Sequence, residues 1–369
     1  QLGAMRMIES KAKTRGVSHL GLDTLPEQAG REVVHWGKKA VPKMFGASSS
    51  PLSCGRVDLT GVPTTVARSI NAPVSWAAAK NKYFVQIVEP EGGASDCRLY
   101  AARSTNDTSS IVLTDVSATI LLGGRELSPG DVTSREMQGY IGPKKYALLN
   151  DLGNHRDEVM QFGWWAWYRG VCALLLRTLN AIHSVIPNYG VAIILLTVIV
   201  KILFWPLTHK STESTKKMQQ LQPKIAELKE KYKNDPQKLQ KAQMELYKKE
   251  GVNPMASCLP MLVQLPIFIA LFTVLRSAIE LRFAEFLWIK DLSEPEMLFA
   301  DTLPIPLNIL PLFMTATMIL QQRLTPTGGD PQQQKMMMIM PLVMLFLFYM
   351  MPSALVLYWT TSQCLSIVQ

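Results

Sequence analysis

The last 34 residues of the chain, 336–369, carry no charged side chain. A helix needs roughly 20 apolar residues to cross the hydrocarbon core of a bilayer, so this run is too long for one crossing. Met351-Pro352-Ser353 stands at its middle, and proline ends or kinks a helix. We therefore predict two short helices joined by a tight turn, with one long tilted helix as the alternative.

Three further apolar runs precede it, at residues 191–207, 258–275 and 303–320, and Lys201 is their only charged residue. Each run has the length of one crossing, so the four runs together predict five membrane crossings. Hydrophobic residues form 48% of the chain and charged residues only 18%. This composition excludes a purely soluble enzyme, a disordered chain and a collagen-like fibre.

The charges of the connecting segments predict the orientation of these crossings. Residues 208–255 contain eleven lysines and six acidic residues, whereas residues 276–302 contain three basic and six acidic residues. Positive charge marks the cytoplasmic side of a membrane protein. We therefore expect residues 208–255 to be cytoplasmic, residues 276–302 to be external, and the polar segment before the first crossing to lie outside the cytoplasm.

This polar segment, residues 1–160, predicts a β-rich domain. Three stretches are rich in β-branched and aromatic residues and are separated by turn-forming clusters: residues 82–89, 97–104 and 109–122. They predict antiparallel strands of a β-sandwich. Residues 1–70 show no clear period, and residues 47–51 have the composition of a linker.

Residues 161–187 predict an amphipathic helix. Apolar residues recur at helical spacing, and an aromatic cluster precedes them, formed by Trp164, Trp165, Trp167 and Tyr168. This pattern is typical of a helix that lies in the membrane interface with an aromatic anchor. The alternative is a core helix of the β-rich domain.

The cytoplasmic segment predicts a helical hairpin made of residues 211–232 and 236–250. Pro236 suits a first helical position, and each helix has one apolar stripe that can pack against the other. Several lysines could contact a client or lipid headgroups: Lys216, Lys217, Lys224, Lys248 and Lys249. The alternatives are a solvated positive face and a binding site for anionic headgroups, RNA or an acidic client.

Lys201 is the most informative single residue. A lysine at the centre of a transmembrane helix costs about 2.5–3.5 kcal/mol on insertion scales, so it usually faces a polar partner or a water-filled cavity. Thr197 lies one turn away on the same face, and Gln264, Thr315 and Ser362 are polar residues of other crossings. No crossing contains an acidic residue, unlike the path of a proton-coupled transporter. The alternative is that Lys201 snorkels to the headgroups.

Known catalytic and cofactor motifs are missing from the sequence. The five cysteines form no Cys-x-x-Cys pair, and there is no phosphate-binding glycine loop, no Gly-x-Ser-x-Gly and no His-Glu-x-x-His. We therefore expect a protein that is not an enzyme and uses no metal, cofactor or nucleotide. The chain begins at Gln1 and ends inside an apolar run, so we expect it to be a piece of a longer protein.

Several motifs resemble those of the YidC/Oxa/Albino family of membrane protein insertases in its bacterial YidC form. The resemblance extends over residues 188–369, with a weaker upstream likeness to the family's periplasmic β-domain at residues 76–84 and 140–144. The motifs are Asn188-Tyr189-Gly190, Val200-Lys201-Ile202, Trp205-Pro206-Leu207, and residues 218–224, 247–254, 264–268, 288–292, 333–335, 340–341, 352–353 and 355–359.

The resemblance implies a mainly α-helical polytopic membrane protein. Its five-helix core, residues 188–369, would surround a hydrophilic groove that is open to the cytoplasm and lipid and closed outside. A first helix and a cytoplasmic tail would be missing. The family's groove charge is usually arginine, and Lys201 keeps the positive charge without the bidentate fork. The implied groove residues are Lys201, Thr197, Gln264, Thr315, Tyr358, Trp359 and Ser362.

The implied function is a membrane protein insertase and chaperone of the bacterial inner membrane. Its expected partners are nascent membrane proteins with short acidic translocated tails and the lipid bilayer, with a Sec-type translocon and the ribosome as further candidates. We expect a monomer. The alternatives are a channel or transporter, an intramembrane hydrolase with Lys201 as base and Ser362 as nucleophile, and a structural anchor for the β-domain.

Overall fold

The structure is a computed structural model that describes residues 5–8, 21–26, 33–36, 65–103, 113–163, 165–232, 235–251, 259–299, 306–324 and 331–368. It divides into two compact units, Gln1–Gln161 and Phe162–Gln369. The linker predicted at residues 47–51 lies outside the described residues.

The first unit consists of two antiparallel sheets. Its strands are β1 (Met5–Ile8), β2 (Gly21–Pro26), β3 (Val34–Trp36), β4 (Thr65–Ser69), β5 (Val74–Lys80), β6 (Phe84–Pro90), β7 (Asp96–Arg103), β8 (Leu113–Leu121) and β9 (Met137–Pro143). One sheet has the order β1-β8-β7-β4 and the other β3-β2-β5-β6-β9. Side chains of both sheets share one core, so the predicted sandwich is confirmed.

The three predicted strands correspond to β6, β7 and β8. The strand β5 escaped prediction for a physical reason. Its residues 76–80 are all buried, so no polar face alternates with the apolar one, and three of them are alanine, which is depleted in strands. Pattern alone gives little signal for such a strand.

The segment after β9 is fixed to the second sheet. It forms α1 (Tyr146–Asp151) and a short 3₁₀ helix (Arg156–Met160). The indole Nε1 of Trp76 donates to the Asn154 carbonyl at 2.9 Å, and Arg156 pairs with Glu89. Lys80 Nζ donates to the Val159 carbonyl at 3.0 Å. These bonds hold the end of the first unit against its sheet.

Two lysines of this unit are buried near one carboxylate. Lys80 forms an ion pair with Asp23, which is fully buried. Burial lowers the pKa of Lys80, although Asp23 opposes that shift. Burial, together with the positive charge of Lys80, lowers the pKa of Lys144 from 10.5 to about 7. The first unit therefore contains a lysine that titrates near neutral pH.

We expect the first unit to become more stable as the pH rises from 7 to 9. The unfolded chain holds the Lys144 proton up to about pH 10.5, whereas the folded unit releases it near pH 7. The free energy of unfolding should therefore rise by up to about 1.4 kcal/mol per pH unit in this window. Pulse proteolysis in urea at pH 7 and pH 9 measures it.

Lys144→Met should reduce this pH dependence, because the proton of Lys144 is then no longer released on folding. Lys145→Met is the matched control, since Lys145 is the exposed neighbour. A slope in Lys144→Met equal to that of the wild type, or a slope reduced in Lys145→Met, would contradict this assignment.

The second unit is helical. Its helices are α2 (Ala166–Val185), α3 (Tyr189–Gln220), α4 (Gln222–Lys231), α5 (Pro236–Lys249), α6 (Leu259–Ser277), α7 (Ile309–Leu324), α8 (Pro331–Phe348) and α9 (Ser353–Val368). Helix α9 packs against α3, α6 and α7, and α2 packs against α3 and α6. Since α2 belongs to this unit, the alternative of a core helix in the β-rich domain is wrong.

The last apolar run forms two helices, α8 and α9, with a turn at residues 349–352, so the prediction of two short helices is confirmed and that of one long helix is wrong. Among the described residues, one helix, Tyr189–His209, is long and apolar enough to cross a bilayer by length and composition. Shorter apolar helices lie at Gln264–Ser277 and Met338–Phe348. The five crossings remain a prediction.

Two predicted boundaries are wrong. The hairpin helix predicted at residues 211–232 is divided, because α3 continues without a break to Gln220 and Pro223 stands in the first turn of α4. Near position 208 the residues change from apolar to polar, which indicates different surroundings. The polar residues form helices as readily as the apolar ones, so the helix continues. The run at 303–320 starts its helix only at Ile309, since Leu307 forms an extended bridge with Leu298.

The hairpin contact itself is confirmed. Leu221 and Ile225 are buried, and Leu246 and Tyr247 of α5 pack against them. Asp235 caps α5, since its carboxylate accepts from the Lys238 amide at 3.1 Å. The two helices therefore meet through the apolar stripes that the sequence predicts.

Hydrogen bonds hold the described parts of the loop between α6 and α7, residues 278–299 and 306–308. The carboxylate of Glu296 accepts from the first two amides of α7, at 2.6 and 2.9 Å. The Asn308 side chain accepts from the Met297 amide and donates to the Tyr349 carbonyl. The Ser353 amide donates to the Glu294 carbonyl at 3.0 Å. The loop therefore joins α7 to the turn between α8 and α9.

Candidate functional site

The site is built around Lys201, which lies in the apolar half of α3 and is half-buried. Its ammonium group donates to the Ser366 hydroxyl of α9 at 2.8 Å. The Ser366 hydroxyl in turn donates to the Ser362 carbonyl at 2.9 Å. Ser366 lies in the last turn of α9, so the ammonium group is near the end of the bundle that is predicted to be cytoplasmic. The snorkelling alternative expects the same location.

A second polar contact involves α9, nearer the start of that helix. Gln264 Nε2 of α6 donates to the buried Tyr358 hydroxyl of α9 at 2.6 Å. Tyr358, Ser362 and Ser366 are spaced by four residues, so they follow one face of α9. This polar column (Tyr358, Ser362 and Ser366) spans about 12 Å, at about 1.5 Å per residue. It receives a donor from α6 at one end and from α3 at the other.

Trp359 lies beside this column in an aromatic cluster. Its ring meets Phe268 edge-on at 4.9 Å and Phe348 at 5.3 Å between centroids. Its indole Nε1 is buried and meets no hydrogen-bond acceptor among the residues that the structure describes. A buried donor without an acceptor is unusual, so Trp359 offers one unused hydrogen bond.

The threonines of the predicted groove are bonded within their own helices. Thr197 is buried, and its hydroxyl donates to the Ile193 carbonyl at 2.7 Å. The Thr315 hydroxyl donates to the Pro311 carbonyl at 2.8 Å. Both hydroxyls thus have a partner, and neither makes a described bond to Lys201. The structure brings together Lys201 with α9 and Gln264 with Tyr358.

Sequence reasoning missed Ser366 as the partner of Lys201. The available signal was its spacing, eight residues after Tyr358 and four after Ser362 on one helical face. The hydrolase alternative named Ser362 as nucleophile. In the structure, Ser362 contributes its carbonyl, and the hydroxyl within reach of Lys201 is that of Ser366.

The predicted contact lysines lie on the hairpin and at the end of α3. Lys217, Lys248 and Lys249 are exposed, and Lys224 pairs with Glu250 at 2.6 Å between Nζ and Oε1. The Lys216 side chain lies outside the described residues. An exposed pair of this kind contributes little stability, so these charges are available to an anionic partner.

The sequence matches the profile of the family described as 60Kd inner membrane protein over residues 181–369, about half of the chain, and that of the YidC periplasmic domain over residues 58–169. Membrane protein insertase YidC of Geotalea daltonii is 43% identical over 297 residues, which are 80% of this chain and 52% of that protein. The YidC of Citrifermentans bemidjiense is 38% identical over 370 residues, 100% of this chain and 60% of that protein.

A solved structure described as an active YidC insertase with the first transmembrane domain resolved is 22% identical. It covers 85% of this chain and 82% of its own, with a TM-score of 0.47. The chain spans about half the length of the curated relatives that it matches. The two profile matches place the chain among inner membrane proteins that carry a periplasmic domain. The chain belongs to the YidC/Oxa/Albino family, in its bacterial YidC form.

The motif at the start of α3 has a physical reason at each position. The Asn188 side chain accepts from the Val191 amide at 3.1 Å and caps the helix. Tyr189 stacks on His183 of α2 at 3.7 Å between centroids. A Cβ on Gly190 would lie 2.1 Å from the Phe286 ring, so only glycine permits this close approach.

We expect a double-mutant cycle to detect the bond between Gln264 and Tyr358. Tyr358→Phe leaves the half-buried Gln264 amide without its acceptor, which should lower the free energy of unfolding by about 1 kcal/mol. Gln264→Leu should cost a similar amount. The double variant should cost less than the sum, because neither polar group is left unsatisfied.

Denaturant unfolding of the purified protein in one detergent measures this cycle. Tyr232→Phe on the hairpin is the matched control for the loss of a tyrosine hydroxyl. Strictly additive losses would show that the two side chains do not stabilise each other.

Proposed function

We propose that the full-length protein is a membrane protein insertase and chaperone of the bacterial inner membrane. The observation that carries the proposal is the half-buried Lys201, whose described partner is the neutral hydroxyl of Ser366. The family supports it, since the curated relatives are called membrane protein insertases. In this proposal α3 and α6–α9 are five crossings, with the first unit periplasmic and the hairpin cytoplasmic.

The positive charge of Lys201 would attract the acidic tail of a client into a hydrophilic groove. In a partly desolvated site the attraction between opposite charges exceeds that in water, about 4 kcal/mol at 4 Å for an effective dielectric constant of 20. A lysine acts as a point charge, without the bidentate fork of arginine. Attraction of the tail does not need that fork.

The other groove residues would guide the client without binding it tightly. Four of them already have hydrogen-bond partners within the bundle: Thr197, Gln264, Thr315 and Tyr358. They would therefore make the groove wall polar but form few hydrogen bonds with the client. The free indole N–H of Trp359 could donate to a client carbonyl. Release of the client's apolar segment into lipid would drive the step, at about 0.8 kcal/mol per CH₂ group, without nucleotide hydrolysis.

The decisive experiment reconstitutes the full-length protein alone into liposomes. Two clients share one apolar segment and differ in their tails, one acidic and one neutral, and protease protection of the tail measures insertion. Lys201→Met should slow insertion of the acidic client about tenfold, a barrier change of about 1.4 kcal/mol. It should leave the neutral client unchanged.

Two control variants separate charge from geometry. Lys201→Arg and Ser366→Ala both keep the positive charge and should insert the acidic client at close to the wild-type rate. A loss with Ser366→Ala equal to that with Lys201→Met would contradict the electrostatic role and favour a Ser–Lys pair. If the wild-type protein protects neither client, autonomous insertase activity is wrong.

The hairpin lysines are proposed to meet the client or anionic headgroups first. Lys248→Glu/Lys249→Glu should weaken binding of the full-length protein to an acidic client segment at least threefold, because both side chains are exposed. Lys248→Arg/Lys249→Arg keeps the charge and should bind as wild type. A salt titration should reduce wild-type binding in the same direction. Equal binding by all three proteins would refute this contact.

The remaining partners are proposed on the family alone. A client would arrive from a ribosome or through a Sec-type translocon, and one groove on one protomer needs only a monomer.

A further inference from the structure

The loop between α6 and α7 holds four bulky apolar residues at positive φ. They are Phe283 at 58°, Leu287 at 51°, Met297 at 47° and Phe299 at 55°. This left-handed region is strained for a bulky side chain, and glycine or asparagine normally occupies it. The other non-glycine residues at positive φ among the described ones are polar: Asn71, Asn154, His155 and Gln161. The α6–α7 loop therefore differs in its backbone conformation from the other described segments of the chain.

All four side chains point outward. Phe283 is 74% exposed, Leu287 76%, Met297 43% and Phe299 65%, and the indole of Trp288 beside them is 43% exposed. Strain in a backbone persists where the surrounding structure over-determines it, and it often marks a functional position. Here the strained backbone directs large apolar side chains away from the bundle.

The described part of the loop around these side chains, residues 278–299, is held by ion pairs and backbone hydrogen bonds. Arg282 forms ion pairs with Asp291 at 2.9 Å and with Glu294 at 3.2 Å. Phe286 and Ile289 form an antiparallel bridge. The acidic side chains Asp291, Glu294 and Glu296 are thus used within the loop and at the start of α7, whereas the apolar side chains face outward.

We propose that these five side chains, Phe283, Leu287, Trp288, Met297 and Phe299, are immersed in the lipid at the headgroup–acyl boundary of the outer leaflet. The assignment to the outer leaflet rests on the proposed function. The occupant is lipid because α7, the helix that follows this loop, also exposes large apolar residues, namely Ile309, Leu312 and Phe313. These helices belong to an inner membrane protein family.

The chemistry of the surface fits this depth. Aromatic side chains and cations are enriched where a membrane protein meets the headgroups. The guanidinium of Arg282 lies over the Phe283 ring at 4.5 Å, and Lys290, two residues after Trp288 in the sequence, is exposed. The loop thereby presents apolar side chains with both cations and the exposed carboxylate of Glu285 among them, and such a mixture suits a shallow insertion at the headgroups.

The first test measures depth in the bilayer. A fluorescent amino acid is placed at position 287, 285 or 313 of the full-length protein, and brominated lipids with bromine near the headgroup or deep in the acyl chain quench it. Leu287 should be quenched mainly by the shallow bromine. Glu285, which is exposed two residues away, should be quenched weakly, and Phe313 of α7 mainly by the deep bromine.

The outcomes distinguish the immersion of the loop from the membrane placement in the proposed function. Quenching at 313 without quenching at 287 overturns the loop immersion alone. No quenching at either position overturns the membrane placement in the proposed function. Protection of position 287 from iodide without quenching by any bromolipid means that protein covers the loop, which also overturns the immersion.

The second test separates the side chains from the backbone strain. In one variant, Phe283, Leu287, Met297 and Phe299 are all replaced by Asn, which tolerates positive φ. Its unfolding temperature in detergent should equal or exceed that of the wild type, while shallow quenching from position 288 should fall at least threefold. A matched variant with four alanines should lose the same quenching with a lower unfolding temperature. Unchanged quenching in both variants overturns the proposal.

Discussion

The helical unit has to accommodate one positive charge, that of Lys201, in an apolar stretch of helix. Lys201 brings an ammonium group to α9, and the described partner there is a hydroxyl, which satisfies a hydrogen bond but not a charge. A neutral partner leaves the electrostatic attraction of the lysine available to a passing anion. The central position of α9, between α3, α6 and α7, is what holds this partner in place. The hydrogen bonds of its first turn to the α6–α7 loop fix α9 at the other end.

The helical elements could be predicted because apolar runs and prolines carry their own signal. Pro352 correctly divided the last run, and the β-rich composition of residues 82–122 correctly indicated a sandwich. The boundary near residue 208 failed because hydropathy reports surroundings, whereas a helix ends where its backbone bonds end. Strand β5 failed because complete burial removes the alternation that marks a strand.

The sequence predicted which residue types form the site better than it predicted which side chains contact each other. Lys201 stood out because a charge in an apolar run is costly, but its contact with Ser366 depends on the packing of α3 against α9, which no local pattern encodes. Thr197 and Thr315 looked like groove groups, yet their hydroxyls bond their own helices, as threonine often does in an apolar environment. The strained loop left no trace in the sequence, since φ is a property of the folded backbone.

The continuity of α3 joins two regions that the sequence treats as separate. From Lys201 to Gln220 the helix is unbroken, a distance of about 29 Å at about 1.5 Å per residue. Pro206 lies within this stretch, and proline removes one backbone hydrogen bond, so the helix bends most easily there. A tilt of about 10° at that point displaces the hairpin end by several ångströms. A displacement of the hairpin would therefore reach Lys201 along one continuous helix.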